Sequence, residues 1–332
     1  MRAEDQGAVA ACGRDVQGPP AGVVAICRFA AYLGEPVMLE DLLYEPDGAL
    51  VRQAVDAELM SLLNLGGFGL AAWDPQSPEP DKPLTYRVPS IPNFDRNLRS
   101  LSAKLTVSTL VAHVRGVVYD SSEAVGSQNV HPFYFDGASF ALAQNGDLYD
   151  FGVMRYDLAE RIDPRLLRRI EGTTDTEWVY ALILSQLPDP FSPIGPRDAA
   201  RAVTTSLEIL REARRARGLA TQSPVNLLLT DGRWMLATRY AFDYGWYPED
   251  RSFFAREREH DFTSLWYSIG GPFGRRDDGT FGMEPGRLTS VVVASEPLTK
   301  STAGWIEAPE YSMLVLERDD DGTAHADLWE LA

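Results

Sequence analysis

The segment VVAICRFAAYL, Val23 to Leu33, is apolar or aromatic at every position except Arg28. No helical or alternating period divides it into a wet and a dry face, so it reads as a strand buried on both sides. A chain organised around such a strand needs a packed layer on each face of its sheet. Upstream, the first 22 residues, MRAEDQGAVAACGRDVQGPPAG, hold one short apolar stretch at Ala8 to Cys12 among Gly, Pro, Asp and Gln. They lack the long apolar core and cationic start of a secretory signal, and they cannot bury much surface. This predicts a disordered leader or removable segment over 1–22 and an ordered domain over 23–332.

Further strand patterns follow: GFGLAAW at Gly67 to Trp73, LTYRV at Leu84 to Val88, TLVAHVRG ending at Gly116, and SFALAQNG ending at Gly146. Between the first two, DPQSPEPDKP reads as an exposed loop. Leucines at 98, 101 and 105 give a helical spacing over 97–105. Two clearer helices come next, one opening at Asp175 with TEWVYALILSQL and one from Arg197 to Gly218. Asp175 is placed to cap its helix start. Arg211, Arg214, Arg215 and Arg217 read as a solvated cluster at the negative end of the second helix, with Gly218 as its C′ residue. VNLLLTDGRWMLATRYA is a hairpin pattern around Asp231 and Gly232, and SLWYSIG, TSVVVASEPL and YSMLVLERDDDGTAHADLWEL continue the strands. In the last, Asp319, Asp320, Asp321 and Gly322 suit a hairpin turn and lack calcium-loop spacing. Strands, then two helices, then strands again imply one αβ domain, and periodicity alone leaves sandwich and doubly wound sheet both open.

The chain has 332 residues, 48 Asp plus Glu against 31 Lys plus Arg, and a net charge of −17. That balance works against nucleic-acid binding, which rests on cations neutralising phosphates. No run approaches the roughly 18 apolar residues of a membrane span. Cys12 and Cys27 are the only cysteines, too few for a disulfide framework and outside any zinc spacing, which suits a reducing cytoplasmic setting. No GxGxxG or phosphate loop supports a nucleotide, and no metal or organic cofactor is expected.

By itself Cys27 reads as a small buried hydrophobe, and Asn145-Gly146 as a turn between strands. Several segments taken in order change this. CRFAAYLG at Cys27, HVR at His113 to Arg115, NVHPF at Asn129 to Phe133, AQNGDL at Ala143 to Leu148 and EGTTDTE at Glu171 to Glu177 together resemble the glutaminase domain of class II glutamine amidotransferases, which are N-terminal-nucleophile hydrolases. LLLTDG, TRY, VVASEPLT and GWIEAP extend the likeness to about Leu316. Within the family the chain is similar to the small stand-alone members that begin Met-Cys-Arg, including the subunit of yeast-type glutathione breakdown and the γ-glutamyl hydrolase of ergothioneine synthesis.

The resemblance implies a four-layer αββα sandwich of the α+β class and an amidohydrolase that releases glutamate from glutamine or a γ-glutamyl amide or peptide through a Cys27 thioester. With Cys27 as first residue, its α-amine, of ordinary pKa about 7.7–8.0, serves as the base, and no histidine is needed. Asn145 and Gly146 then supply oxyanion donors. A guanidinium after an apolar strand run needs a carboxylate to meet it, and the resemblance makes the partner of Arg115 the substrate α-carboxylate. Asp175 takes the α-ammonium, with N-capping its other reading. Asn129 and His131 are shared family positions whose role is structural or substrate-contacting. A small-molecule substrate and a synthase or peptidase partner subunit are implied, with neither nucleic acid nor membrane.

The chain departs from the family pattern in four places. NLGGFG carries Gly66 where an Asp is usual, Gln144 stands where His often precedes the oxyanion Asn, and Val117 and Val118 replace small hydroxyl residues. The fourth is the 26 residues ahead of Cys27, which make a propeptide or an upstream misread start the expectation. Two other functions fit the same residues: a non-catalytic or regulatory binder of γ-glutamyl ligands with a blocked Cys27, and a subunit that passes ammonia to a separate synthase.

Overall fold

The computed structural model describes residues 27–58, 63–116, 125–244, 263–319 and 321–331. The leader expected over 1–22, the start of the first strand at Val23 to Ile26, and Val117 and Val118 lie outside the described residues.

Two antiparallel sheets form the centre. In spatial order the first holds β13 (Ile306–Glu307), β9 (Trp266–Gly270), β12 (Ser290–Ala294), β1 (Arg28–Met38), β4 (Thr106–Val114), β2 (Phe68–Trp73) and β3 (Leu84–Val88). The second holds β15 (Ala324–Glu330), β14 (Ser312–Arg318), β7 (Trp234–Arg239), β6 (Ser223–Thr230) and β5 (Ala141–Gly146), with β8 (Ala241–Phe242) attached to β6. A small hairpin pairs β10 (Phe273–Arg275) with β11 (Phe281–Met283). The α-helices among the described residues are α1 (Leu39–Leu43), α2 (Leu50–Gln53), α3 (Arg96–Ser102), α4 (Phe151–Ala159), α5 (Pro164–Leu167), α6 (Asp175–Ser185) and α7 (Pro196–Ala216).

Strand alternation assigns each side chain to a layer. On β1, Phe29, Ala31 and Leu33 enter the cluster between the sheets, while Ala30 and Tyr32 enter the cluster under α1, α2 and α3. On β6, Leu228 faces the inter-sheet cluster, while Val225, Leu227 and Leu229 pack under α6 and α7. Helices, sheet, sheet and helices therefore stack in four αββα layers, the architecture that the resemblance implies. The apolar run after Cys27 is doubly buried because β1 lies between β12 and β4, with layers above and below.

Three details differ from the sequence reading. The helix of 97–105 ends at Ser102: Asp95 caps it by accepting from the amides of Asn97 and Leu98, Leu98 is buried and Leu101 is exposed. Asp175 is the first residue of α6 rather than its N-cap, which is Thr174, and its carboxylate still accepts from the Thr176 amide. The arginine cluster at the end of α7 is not solvated throughout. Arg214 is buried, donating to Ser223 Oγ at 2.8 Å and pairing with Asp243 at 2.9 Å. A long aliphatic stem, and partners for both terminal guanidinium nitrogens in Ser223, Thr221 and Asp243, let it pass under the helix end.

Candidate active site

Strand ends from both sheets bring four of the five expected residues, Cys27, Arg115, Gly146 and Asp175, to one cleft. Cys27 immediately precedes β1, and Arg115 and Gly116 immediately follow β4, which pairs with β1 so that Arg28 faces Val114. The Gly116 amide consequently donates to Cys27 Sγ at 3.4 Å. From the other sheet, β5 ends at Gly146, and Asp175 opens α6 beside it. Cys27, Arg115, Gly146 and Asp175 line one cleft of about 320 Å³, together with His131, Arg155 and the Thr173 to Thr176 turn. That volume is at the small end of ligand pockets.

Burial dominates the electrostatics. It pushes the Cys27 thiol up to about 11, against the opposing pull of the Gly116 amide and the Arg115 charge. It also raises the Asp175 carboxyl, although Asp175 accepts from Leu148 N at 2.8 Å, Gln144 Nε2 at 3.3 Å and Thr176 N at 2.7 Å. Those donors hold the carboxylate in one orientation with its charge compensated. The stacked rings of His113 and His131, 4.2 Å apart, both turn a nitrogen to the Gln144 carbonyl. Desolvation lowers His113 to about 3 and takes His131 well below its ordinary value, so both are neutral and weak as proton acceptors.

Asn145 sits behind the cleft wall rather than on it. It is fully buried, and its Nδ2 donates to Ser295 Oγ at 3.0 Å. One amide proton makes that bond and Nδ2 carries a second. Gly146 has φ +142°, and a Cβ there would meet the Pro224 carbonyl oxygen at 1.9 Å, so glycine is required. The Asp147 amide donates to the Pro224 carbonyl, and hydrogen-bonded pairs alternate along an antiparallel ladder. Gly146 thus falls in a non-hydrogen-bonded pair with Val225, and its N–H points away from β6. Asn129 fixes a loop: its Oδ1 accepts from Thr173 N at 2.8 Å and its Nδ2 donates to Thr173 Oγ1 at 3.0 Å. Glu177 shapes the same loop by accepting from the amides of Glu171 and Gly172. Gly66, in the departing NLGGFG segment, donates its amide to the Arg115 carbonyl, and the Arg115 amide donates to Gly67.

Three supporting residues were not singled out from the sequence. Arg28 and Glu296 form a buried ion pair at 2.8 Å, and Arg28 Nη1 donates to the Cys27 carbonyl at 3.0 Å. Ser295 Oγ accepts from both Phe29 N and Asn145 Nδ2, tying the strand after Cys27 to the opposite sheet. The SEP tripeptide within VVASEPLT held a signal for Ser295 and Glu296, since adjacent Ser and Glu directly after the apolar run Val291 to Ala294 must find partners indoors.

Residues 90–244, which include Arg115, Asn145, Gly146 and Asp175 and follow Cys27, match the family model of glutamine amidotransferases class-II. The probable glutamine amidotransferase DUG3 of Saccharomyces cerevisiae is 27% identical over 315 residues, spanning 88% of this chain and 82% of the relative. In structure, a glutamine aminotransferase class-II domain protein from Silicibacter pomeroyi superimposes with a TM-score of 0.57 at 20% identity, covering 92% of this chain and 100% of that one. Glutamine phosphoribosylpyrophosphate amidotransferase from B. subtilis gives 0.51 at 18% identity, covering 92% of this chain and 49% of that one. These two establish the shared fold, and the chain spans about half of the second. The sandwich architecture, the family match over residues 90–244 and the curated relative thus agree that this chain is similar to the class II glutamine amidotransferases.

Proposed function

We propose that the protein hydrolyses glutamine or a γ-glutamyl amide, releasing glutamate by way of a thioester on Cys27. The observation that carries this reading is the convergence of Cys27, Arg115, Gly146 and Asp175 on one cleft. Arg115 and Asp175 have opposite charges and suit the α-carboxylate and α-ammonium of a glutamyl group, which directs the γ-carbonyl to Cys27. The leaving amine then points outward and is chosen by the rest of the cleft.

The reaction needs a base near the thiol. His113, at about 3, and the still neutral His131 are poor acceptors near neutral pH. When Cys27 is the first residue, its own α-amine takes the thiol proton as sulfur attacks the γ-carbonyl carbon. The Gly146 N–H and the second Nδ2 proton of Asn145 are the donors to the oxyanion. As the tetrahedral intermediate collapses, the C–N bond breaks and the ammonium passes its proton to the leaving nitrogen. Water, deprotonated by the same amine, then cleaves the thioester and restores the thiol. With Ile26 attached, the nitrogen is an amide and has no such basicity. Active protein therefore begins at Cys27, after removal of the preceding residues or by initiation close to it. A reducing cytoplasmic setting, in which the free thiol persists, belongs to the same reading.

The test compares two proteins, one opening Met-Cys27 so that the Met is removed in the cell, the other the uncleaved 332-residue chain. Glutamate release is measured from glutamine, glutathione and other γ-glutamyl amides, with labelling of Cys27 by a glutamine-like electrophile. Activity and labelling confined to the first protein are expected. Equal rates from both would overturn the amine-base mechanism, and no release by either would favour a binding role.

A further inference from the structure

A second cavity, of about 200 Å³, opens at the C-terminal end of α7 and is lined by Arg211, Arg214, Arg215, Tyr240, Phe242 and Tyr311, with Asp243 at its edge. We propose that it binds a small organic anion, whose carboxylate or phosphate meets the guanidinium groups while its body lies against the aromatic rings.

Charge is the first support. Three arginines face one aspartate here, in a chain of net charge −17. Among the described residues that line the cavity, three guanidinium groups outnumber one carboxylate and the roughly half charge of the helix C-terminus. Arg214 is the second. It is 1% exposed, donates to Ser223 Oγ and the Thr221 carbonyl and pairs with Asp243, yet its buried Nε has no hydrogen-bond partner among the described residues. A buried N–H of a charged group left unbonded is costly, and a bound oxyanion relieves that cost. Backbone strain is the third. Among the described residues the non-glycine positions with positive φ are Asp150, Asp243 and Tyr311. Asp150 lines the Cys27 cleft, and the other two line this cavity. Such conformations cost about 1–3 kcal/mol and concentrate where a site requires them.

The walls define the ligand. Tyr240 stands edge-on to Phe242 and to Tyr311, with centroids 5.0 and 5.7 Å away, and the Arg214 guanidinium lies 5.2 Å over the Phe242 ring, so the wall is aromatic and cationic together. Arg211 donates to the Tyr240 hydroxyl at 2.8 Å, which leaves the hydroxyl proton to be given to an anion. The volume limits the ligand to about the size of one ring or a short chain carrying an acid group. The cavity shares no lining residue with the Cys27 cleft, so this inference stands apart from the proposed reaction.

Isothermal titration of the full chain with inorganic phosphate, and separately with benzoate, tests it and separates the two head groups. Saturable one-to-one binding of at least one probe is expected, weakened by about tenfold or more in Arg211→Gln/Arg215→Gln. Arg201→Gln, which removes an equal charge from the opposite half of α7, should leave it unchanged. Arg215 is exposed, so Arg215→Gln alone serves if the double variant folds poorly. The proposal fails if neither probe saturates, or if Arg201→Gln weakens binding as much as the changes at the cavity.

Discussion

Replacing Glu296 with leucine removes the carboxylate that faces a guanidinium only 1% exposed. Arg28 then keeps its bond to the Cys27 carbonyl but loses the charge that offsets its desolvation. Breaking a buried pair from one side costs about 3–5 kcal/mol, whereas an exposed pair costs at most about 1. With the partners 1% and 4% exposed, the larger figure applies. At about 2–4 °C per kcal/mol for chains of 150–250 residues, Glu296→Leu should lower Tm by on the order of 10 °C. Arg28→Met/Glu296→Leu removes both charges and should recover most of that loss, because no ion is left uncompensated. Urea and thermal denaturation of the two variants measure this. A loss below about 1 kcal/mol in Glu296→Leu, or a double variant less stable than the single, would refute the reasoning. Turnover adds a second readout. The double variant lacks the donor to the Cys27 carbonyl, so its kcat should fall with KM nearly unchanged despite restored stability.

Other outcomes follow from the site. Arg115→Lys should raise KM for γ-glutamyl substrates by tenfold or more, about 1.4 kcal/mol, with an unchanged melting curve, since lysine lacks the planar two-bond fork; steady-state kinetics decide it. Asn145→Ala should lower kcat by about 10² to 10³ with little change in KM, and equal loss of binding with normal turnover would reduce Asn145 to an inter-sheet tie. Gly146→Ala forces a Cβ to within 1.9 Å of the Pro224 carbonyl at φ +142°, so both Tm and activity should drop. For pH, the native pKa values of His113 and His131 lie below their unfolded value, so their neutral forms stabilise the fold above about 6.5. That contribution is lost as pH falls toward 3, which predicts falling urea midpoints over this window and a shallower slope in His113→Asn.

Local chemistry made most strands readable. The apolar run at Phe29 to Leu33, the Asp231-Gly232 hairpin and the Gly218 helix stop each hold their signal within a few residues, and the structure keeps all three. Arg214 misleads because arginine near a helix end is ordinarily solvated, and only the chain's return at Ser223 and Asp243 provides it with buried partners. Leu101 misleads in the opposite direction, since α3 is too short to bury more than one leucine of the 98, 101, 105 series. The Arg28 and Glu296 pair spans 268 positions, and no periodicity reports a contact at that range. Its one trace is compositional: each charge interrupts or ends an apolar strand, and such charges fold indoors only in company.

The same long range explains how the site is held. Cys27 and Arg115 come from the ends of β1 and β4 in one sheet, Asn145 and Gly146 from the end of β5 in the other. In the proposed reaction the nucleophile and its oxyanion donors therefore sit on opposite layers, and their separation is set by sheet packing. Ser295 fixes that spacing directly, because one hydroxyl accepts from Phe29 N at 3.1 Å and from Asn145 Nδ2 at 3.0 Å. Between the sheets, small residues at Ala31 and Ala143 let the layers approach, and the larger Phe29 and Leu228 fill the remaining space. A packed interior of this kind yields little to strain, so donors placed by it need no rearrangement when charge develops. In the proposed reaction the inter-sheet core is thus part of the catalytic geometry, although none of its side chains reaches the cleft.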